Sequence, residues 1–228
     1  ADYVNRLFSD GLEAEITRTY ELIDSGGNYH RFNPAGARLP LTALFERILR
    51  RAAGTIQCGR TALERGFCFY FGGGMHHAQK DGGAGFCLVN DLVIALRRLQ
   101  SENRIRRAWV IDLDAHKGDG TAAITAGDES IFTLSIHMAR GWPLDQPEHG
   151  ADGRLNPSFV PSTIDIPVES GEELLYHPRL KEGLEHLSGF VRPDIALVVC
   201  GADPYELDEL PSTAGLRLSL EQLLERDQ

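Results

Sequence analysis

Short apolar runs alternate with stretches of helical periodicity along this chain, and this alternation limits the possible folds more than any other feature of the sequence. The apolar runs occupy residues 67–71, 108–113, 131–136 and 195–200. The helical stretches include residues 91–100 and 172–187. Such an order predicts an α/β fold: a single open, mostly parallel sheet with helices on both faces.

The first third of the chain is predicted to be mainly helical. Residues 41–65 carry apolar side chains at helical spacing, and Gly66 is placed to end that helix. Residues 28–40 are rich in Gly, Pro and Asn and are predicted to form a loop. Because the sequence shows no repeat, low-complexity tract or linker, we interpret residues 1–228 as one catalytic domain.

Charge and cysteine usage exclude several classes of protein. The net charge of −10 argues against direct nucleic-acid binding, which depends on clustered Lys and Arg. The four cysteines show no CxxC spacing, which favours a reducing compartment, and we expect a cytoplasmic protein. No apolar stretch reaches membrane-spanning length and no signal-peptide pattern is seen, so no membrane association is predicted.

Polar clusters follow each of the four apolar runs. They read GGGMHH, DAHKGDG, HMARGW and GADPYELD. In open α/β sheets, sites form beyond the carboxyl ends of the strands. We therefore expect four strands to deliver their polar residues to one edge of the sheet.

Three of these residues form a candidate metal-ligand set. Asp114 and His116 are two apart at a strand end and point the same way, while Asp203 follows another strand. Two carboxylates and one imidazole, with room for water, are typical of a catalytic zinc site, and iron(II) or manganese accept the same ligands. Taken singly, each residue is more typical of a turn cap, a core histidine or a helix N-cap; the combination favours metal.

Adjacent His76 and His77 follow three glycines, which allow close approach to a substrate. With the metal ligands supplied elsewhere, proton transfer is the better use for this pair: one imidazole accepts a proton from the attacking water and one protonates the leaving group. Each then needs an orienting carboxylate, and Asp112 and Asp119 are the candidates.

The motifs GGGMHHAQKDGGAGFCLVND, DLDAHKGDGT, SIHMARGW and GADPYELDEL resemble, in order and spacing, the active-site motifs of the metal-dependent histone deacetylase family. That family includes acetoin utilisation proteins and acetylpolyamine amidohydrolases. The resemblance runs over residues 61–219 and is strongest to the class IV-like bacterial branch. It implies an arginase/deacetylase-like fold.

The resemblance implies roles for individual residues. It makes Asp114, His116 and Asp203 the ligands of a zinc ion, and it pairs the catalytic histidines His76 and His77 with Asp112 and Asp119 respectively. Further positions implied by the family pattern are the acyl-lysine tunnel residues Gly74, Phe86 and Trp142, and the structural potassium ligands Asp112, Asp114, His116, Ser135 and Ile136.

The sequence departs from the family pattern in places. Lys117 stands where many relatives have a second histidine, at a position that is not a ligand. The family's catalytic tyrosine belongs to a Gly-rich motif that would follow Gln228, and an N-terminal strand would precede Ala1, so we expect the domain to lack N- and C-terminal parts here. Tyr205 is interpreted as a rim or packing residue.

The function that follows from the resemblance is a zinc-dependent amidohydrolase that removes an acetyl or other acyl group from an acylated lysine or polyamine by metal-activated water. Two alternatives stay open. One is a catalytically silent acyl-lysine-binding module. The other is an arginase-like two-metal ureohydrolase, although Gly118 and Gly201 occupy positions where bridging carboxylates would be needed.

Overall fold

The computed structural model describes residues 2–228, and the chain packs as two compact units. The first ends at Ser101 and the second runs from Glu102 to Gln228. The helices are α1 (Asp2–Leu7), α2 (Leu12–Thr19), α3 (Ala43–Arg65), α4 (Asp91–Ser101), α5 (Asp119–Thr125), α6 (Tyr176–Phe190) and α7 (Leu220–Arg226). The interpretation of residues 1–228 as a single domain stays a prediction.

The first unit is helical, and its longest element confirms a sequence prediction. Helix α3 ends at Arg65, and Gly66 follows it with φ of 86°. That left-handed conformation favours glycine, which carries no Cβ to clash with the backbone. The apolar core of this unit gathers residues from α1, α2, α3 and the loop before α4: Tyr3, Leu7, Ile16, Leu22, Phe45, Ile48, Met75, Ala78, Cys87 and Leu88.

The predicted strand at residues 67–71 is wrong. Between Asp2 and Ser101, the part of the first unit that the structure describes, no strand is present. Phe67, Phe69 and Phe71 are 75%, 59% and 94% exposed. Apolar, β-favouring composition does not make a strand unless a neighbouring strand accepts and donates the ladder hydrogen bonds, and this segment has no such neighbour in its own unit.

The second unit contains a four-stranded parallel sheet in the order β3-β2-β1-β4. Its strands are β1 (Ala108–Asp112), β2 (Ile131–Met138), β3 (Ile164–Val168) and β4 (Ile195–Val199). β1 lies between β2 and β4, and Asp112 is level with both Ser135 and Val199. The predicted α/β fold with a parallel sheet is confirmed in this unit.

Strand β3 was not predicted from the sequence, because its residues IDIPV break the apolar pattern with an aspartate and a proline. Proline cannot donate a ladder hydrogen bond, which confines it to an edge strand, and β3 is an edge of this sheet. Its register places Asp165 beside Ser135 of β2.

The core of the second unit forms around β2, β3 and α6. Leu134, Ile136, Ile166, Tyr176 and Leu187 are among its buried members. Helix α6 packs on β2 and β3, and α5 packs on β2. The placement of helices on both faces stays a prediction. Of the helices described between residues 2 and 228, none is both long and apolar enough to cross a membrane.

Candidate metal centre

The candidate metal ligands lie beyond the carboxyl ends of two neighbouring strands. Asp114 and His116 belong to the loop that links β1 to α5, and Asp203 follows β4. Because β1 and β4 are paired in parallel, with Asp112 beside Val199, their following loops leave the sheet side by side. The predicted convergence of these two strand ends is therefore present.

Both carboxylates contact the same imidazole nitrogen. Nδ1 of His116 lies 3.1 Å from Oδ1 of Asp114 and 3.1 Å from Oδ2 of Asp203. The backbone fixes these side chains further: Oδ1 of Asp114 accepts the N–H of His116, and Oδ1 of Asp203 accepts the N–H of Ala115. Ligand atoms of the three residues all lie within 4.8 Å of one another, a separation that a single ion can bridge.

The electrostatics of the group favour a cation. Burial opposes the charged form of His116, yet hydrogen bonds from the imidazole to Asp114 and Asp203 outweigh it and raise its pKa to about 9. Burial also raises the pKa of Asp203, opposed by the hydrogen bond with His116 and reinforced by the negative charge of Asp114. The two carboxylates thus favour positive charge at this imidazole.

Gly201 keeps open the space between the two carboxylates. A Cβ at this position would lie 2.6 Å from Oδ2 of Asp114 and 2.6 Å from Oδ1 of Asp203. A larger side chain would push these oxygens aside. The donor set of two carboxylates and one imidazole, together with this space, fits a zinc or iron(II) ion.

Around this group lie the other predicted residues of the second unit. Asp112, Ser135 and Ile136 are buried on paired strands, and Oδ1 of Asp112 accepts the N–H of Asp114 at 3.2 Å. Asp119 is buried at the start of α5. The ring of Trp142 lies 5.6 Å from that of His116, edge to face. Tyr205 packs against the main core of the unit.

The first unit carries the tandem histidines on a segment held by a buried carboxylate. Asp91, at the start of α4, accepts hydrogen bonds from the N–H groups of Gly74 at 3.2 Å and Met75 at 2.7 Å. His76 and His77 follow directly, both buried, with ring centroids 3.8 Å apart.

Phe86, the other predicted tunnel residue of this unit, is partly exposed with φ of 62°. Its ring lies 5.0 Å from the guanidinium of Arg31. A cation over an aromatic face is a favourable contact. The segment preceding α4 therefore holds Phe86 in an uncommon backbone conformation with its ring covered on one side.

Three residues near the candidate ligands had no role predicted from the sequence. Ser158 donates a hydrogen bond to Oδ2 of Asp119 at 2.6 Å. Lys117, whose position is not predicted to be a ligand, is buried, and its ammonium lies 3.3 Å from Oδ2 of Asp165. The only available signal was Lys117 itself, a charged residue inside an otherwise buried motif; Ser158 and Asp165 lie in segments whose sequence carries no recognisable motif.

Comparison with known proteins decides the family. The family model described as histone deacetylase domain matches residues 2–227. The chain belongs to the histone deacetylase domain family. The resemblance inferred from the motifs is thereby confirmed, while the assignment to a class IV-like branch stays a prediction.

Individual relatives of this histone deacetylase domain come from bacteria and plants. An uncharacterized protein of Picosynechococcus sp. is 36% identical over 178 residues, which are 77% of this chain and 55% of that protein. Histone deacetylase 2 of Arabidopsis thaliana is 27% identical over 179 residues, 78% of this chain and 43% of that protein. Acetoin utilization protein AcuC of Staphylococcus aureus is 32% identical over 142 residues, 62% of this chain and 36% of that protein.

A solved structure supports the same fold. A crystal structure of an HDAC homologue complexed with SAHA matches with a TM-score of 0.70 and 26% identity, over 98% of this chain and 57% of that one. The histone deacetylase domain described here thus spans about half the length of the first relatives it matches.

Proposed function

We propose that this chain carries the metal-binding and proton-transfer residues of a zinc-dependent amidohydrolase that removes an acetyl or other acyl group from an acylated lysine or polyamine. The observation that carries the proposal is the convergence of Asp114, His116 and Asp203 on one point, in a member of the histone deacetylase domain family. Hydrolysis of an unactivated amide needs both an electrophile and proton transfer, and this residue set supplies ligands for the first.

Asp114, His116 and Asp203 would hold the ion, with zinc as the proposed metal and iron(II) as the alternative. When bound, the metal would supply Lewis acidity toward the acyl carbonyl and toward water. Backbone N–H groups anchor the two carboxylates, and the imidazole of His116 is held by both of them, so the set lies near ligand geometry before any ion arrives.

The tandem histidines are the proposed proton carriers. His76 would accept a proton from water with Asp112 orienting its ring, and His77 would protonate the departing amine with Asp119 as its partner. Their burial supports this role, because a buried imidazole is shielded from bulk water and kept in a fixed orientation. The hydrogen bond from Ser158 supports the proposal further, since it fixes the orientation of the Asp119 carboxylate.

Gly74, Phe86 and Trp142 are the proposed walls of the acyl-chain tunnel. Two aromatic side chains suit the alkyl part of an acylated amine, and glycine allows close backbone approach. We also propose a structural potassium ion held by Asp112, Asp114, His116, Ser135 and Ile136. The burial of Asp112 beside Ser135 supports it, because a hard cation prefers carboxylate, hydroxyl and carbonyl oxygens.

A cytoplasmic location is part of the same proposal. Cys58, Cys68, Cys87 and Cys200 are all free thiols in the structure. Unpaired cysteines are typical of proteins that work in a reducing compartment.

The decisive experiment removes one histidine from the full-length protein that contains this sequence. His77→Asn should lower turnover of an acetyl-lysine peptide and of an acetylated polyamine by about 100- to 10,000-fold, the usual contribution of general acid–base catalysis. Zinc content, measured by atomic emission, should stay at the wild-type value. The matched control is His186→Asn, which changes an exposed histidine on α6.

Three outcomes distinguish the competing functions. Unchanged deacylation in His77→Asn would refute the assignment of that residue. Zinc and acyl-lysine binding without turnover in the wild-type protein would indicate the silent binding module. Two divalent transition-metal ions per chain, potassium not counted, would indicate the ureohydrolase chemistry, for which Gly118 and Gly201 offer no bridging carboxylate.

A further inference from the structure

A buried lysine lies inside the loop that carries the candidate ligands. This ligand loop, residues 113–118, contains Asp114, His116 and Lys117. Lys117 is only 5% exposed. Burying an ammonium group is costly unless it is paired and hydrogen-bonded, so its partners indicate what the surrounding structure is built to hold.

The hydrogen-bond and ion-pair partners given for Lys117 belong to residues 156–165, which we call the clasp. Nζ of Lys117 donates to the carbonyl oxygen of Val160 at 2.9 Å and lies 3.3 Å from Oδ2 of Asp165. Oδ2 of Asp165 also accepts the N–H of Ser162 at 3.0 Å. The ammonium therefore contacts the middle and the end of the clasp simultaneously.

A second contact joins the clasp to the residue that follows the ligand loop. Ser158 donates to Oδ2 of Asp119 at 2.6 Å, and the N–H of Ser158 donates to the side chain of Asn156 at 3.1 Å. Ser158 lies in a 3-10 helix, Pro157–Phe159, whose first turn Asn156 caps. The hydroxyl group is thus presented by a locally ordered turn rather than by a free loop.

The clasp is itself fixed to the sheet. Thr163 and Thr133 exchange two hydrogen bonds, each from a backbone N–H to the other residue's hydroxyl group at 3.0 Å. Asp165 belongs to β3 and is level with Ser135 of β2, which is level with Asp112 of β1. Through the clasp, Lys117 therefore connects the ligand loop to the far edge strand of the sheet.

We infer that Lys117 is a positioning residue: its ion pair with Asp165 and its hydrogen bond to Val160 hold the ligand loop in the geometry that metal binding requires. The inference rests on the proposed function, since it assigns a role toward the proposed metal. Lys117 neither contacts substrate nor supplies a ligand, and it acts through the adjacent His116 and through the clasp.

The test is the affinity of the full-length protein for Co²⁺, an ion whose visible absorption bands report the geometry of its ligands. Lys117→Met should weaken Co²⁺ binding by about 10- to 100-fold, the usual cost of losing an outer-shell support, and should change the band shape. Lys181→Met, at an exposed lysine of α6, is the matched control and should leave both unchanged. Thermal unfolding monitored by circular dichroism gives the folded fraction of each variant.

A second variant covers the case in which Lys117→Met does not fold because it leaves Asp165 unpaired. Lys117→Met/Asp165→Leu removes both charges, and replacement of a whole buried ion pair by apolar residues is often tolerated. Weakened Co²⁺ binding in this folded variant supports the inference, and wild-type affinity and spectrum overturn it.

The two proposals fail in different ways. If the wild-type protein binds no Co²⁺, the proposed metal centre is refuted, and the role of Lys117 with it. If the wild-type protein binds Co²⁺ and folded Lys117→Met binds it equally well with the same bands, only the inference about Lys117 is refuted.

Discussion

Each unit of the molecule removes acidic side chains wholly or partly from solvent, and the two units stabilise them differently. In the first, Asp91 is surrounded by donors: the hydroxyl group of Thr55 and the N–H groups of Gly74 and Met75. In the second, two carboxylates approach a single imidazole. The first arrangement surrounds one carboxylate with protein donors, whereas the second is a donor set of two carboxylates and one imidazole that a metal ion accepts. The buried carboxylate of the first unit is therefore structural, whereas the two partly buried carboxylates of the second are typical of a metal site.

The largest effect should come from removing one candidate ligand of the second unit. Asp203→Asn keeps the side-chain volume and the oxygen that accepts the N–H of Ala115, but it replaces a carboxylate by a neutral amide. Metal affinity should fall by more than about 100-fold, because loss of an outer-shell partner alone costs about 10- to 100-fold. Competition titration with a chelator measures it. Asp145→Asn, at an exposed aspartate, is the control, and equal affinities would contradict the ligand assignment.

Removing the buried carboxylate of the first unit should instead reduce stability. Asp91→Ala leaves the N–H groups of Gly74 and Met75 without their acceptor, while the hydroxyl group of Thr55 keeps the carbonyl oxygen of Arg51; each buried unsatisfied group costs about 1–3 kcal/mol. We expect the free energy of unfolding to fall by about 3 kcal/mol, measured by urea denaturation, with metal content per folded chain unchanged. Asp91→Asn retains an acceptor oxygen and should lower the free energy of unfolding by a smaller amount. A loss below about 1 kcal/mol would show that Asp91 is not the support described here.

Acidity should affect the candidate metal centre in a defined direction. The metal-free protein protonates His116 with a pKa of about 9, above its ordinary 6.5. This protonation stabilises the metal-free fold below about pH 6.5, and the contribution is lost as the pH rises through about 9. Metal must displace the proton, so metal affinity should fall by up to about tenfold for each pH unit below about 9. Titrations between about pH 6 and pH 8 test this, and a pH-independent affinity would contradict it.

The smallest effect should come from deleting one donor of Asp91. Thr55→Val removes a hydroxyl group and leaves the carboxylate with the backbone donors of Gly74 and Met75. A single hydrogen bond contributes about 1 kcal/mol, so the free energy of unfolding should fall by about that amount. Thr61→Val, on the same helix but only partly buried, is the matched control. If the free energy of unfolding fell equally in the two variants, the hydrogen bond between Thr55 and Asp91 would make no specific contribution to stability.

The candidate metal residues could be predicted from the sequence because they follow strands that really form. β1 and β4 are apolar, parallel neighbours, and the rule that sites lie beyond the carboxyl ends of strands then brings Asp114, His116 and Asp203 together. Helix α3 and its glycine stop were predictable for a similar reason, since the helical signal is local.

Other features could not be read from local pattern. Residues 67–71 have strand-like composition, but a strand depends on a partner that composition does not reveal. β3 escaped prediction because Asp165 and Pro167 interrupt its apolar pattern, and a proline is acceptable only at a sheet edge, which is a property of the assembled sheet. The contacts of Lys117 were unpredictable for the same reason, because Val160 and Asp165 come beside it only when β3 and the clasp are in place.

The separation of the ligands along the chain has a consequence for the order of folding. His116 and Asp203 are 87 residues apart, and they meet only because β4 docks beside β1. Long-range strand pairing is slow, because the entropy cost of closing a large loop comes before any stabilising contact forms. We therefore expect tight metal capture to be a late event in folding, with the growth of Co²⁺ absorption following sheet assembly rather than helix formation. Metal binding would then report that β1 and β4, which are far apart in the sequence, have paired in the sheet.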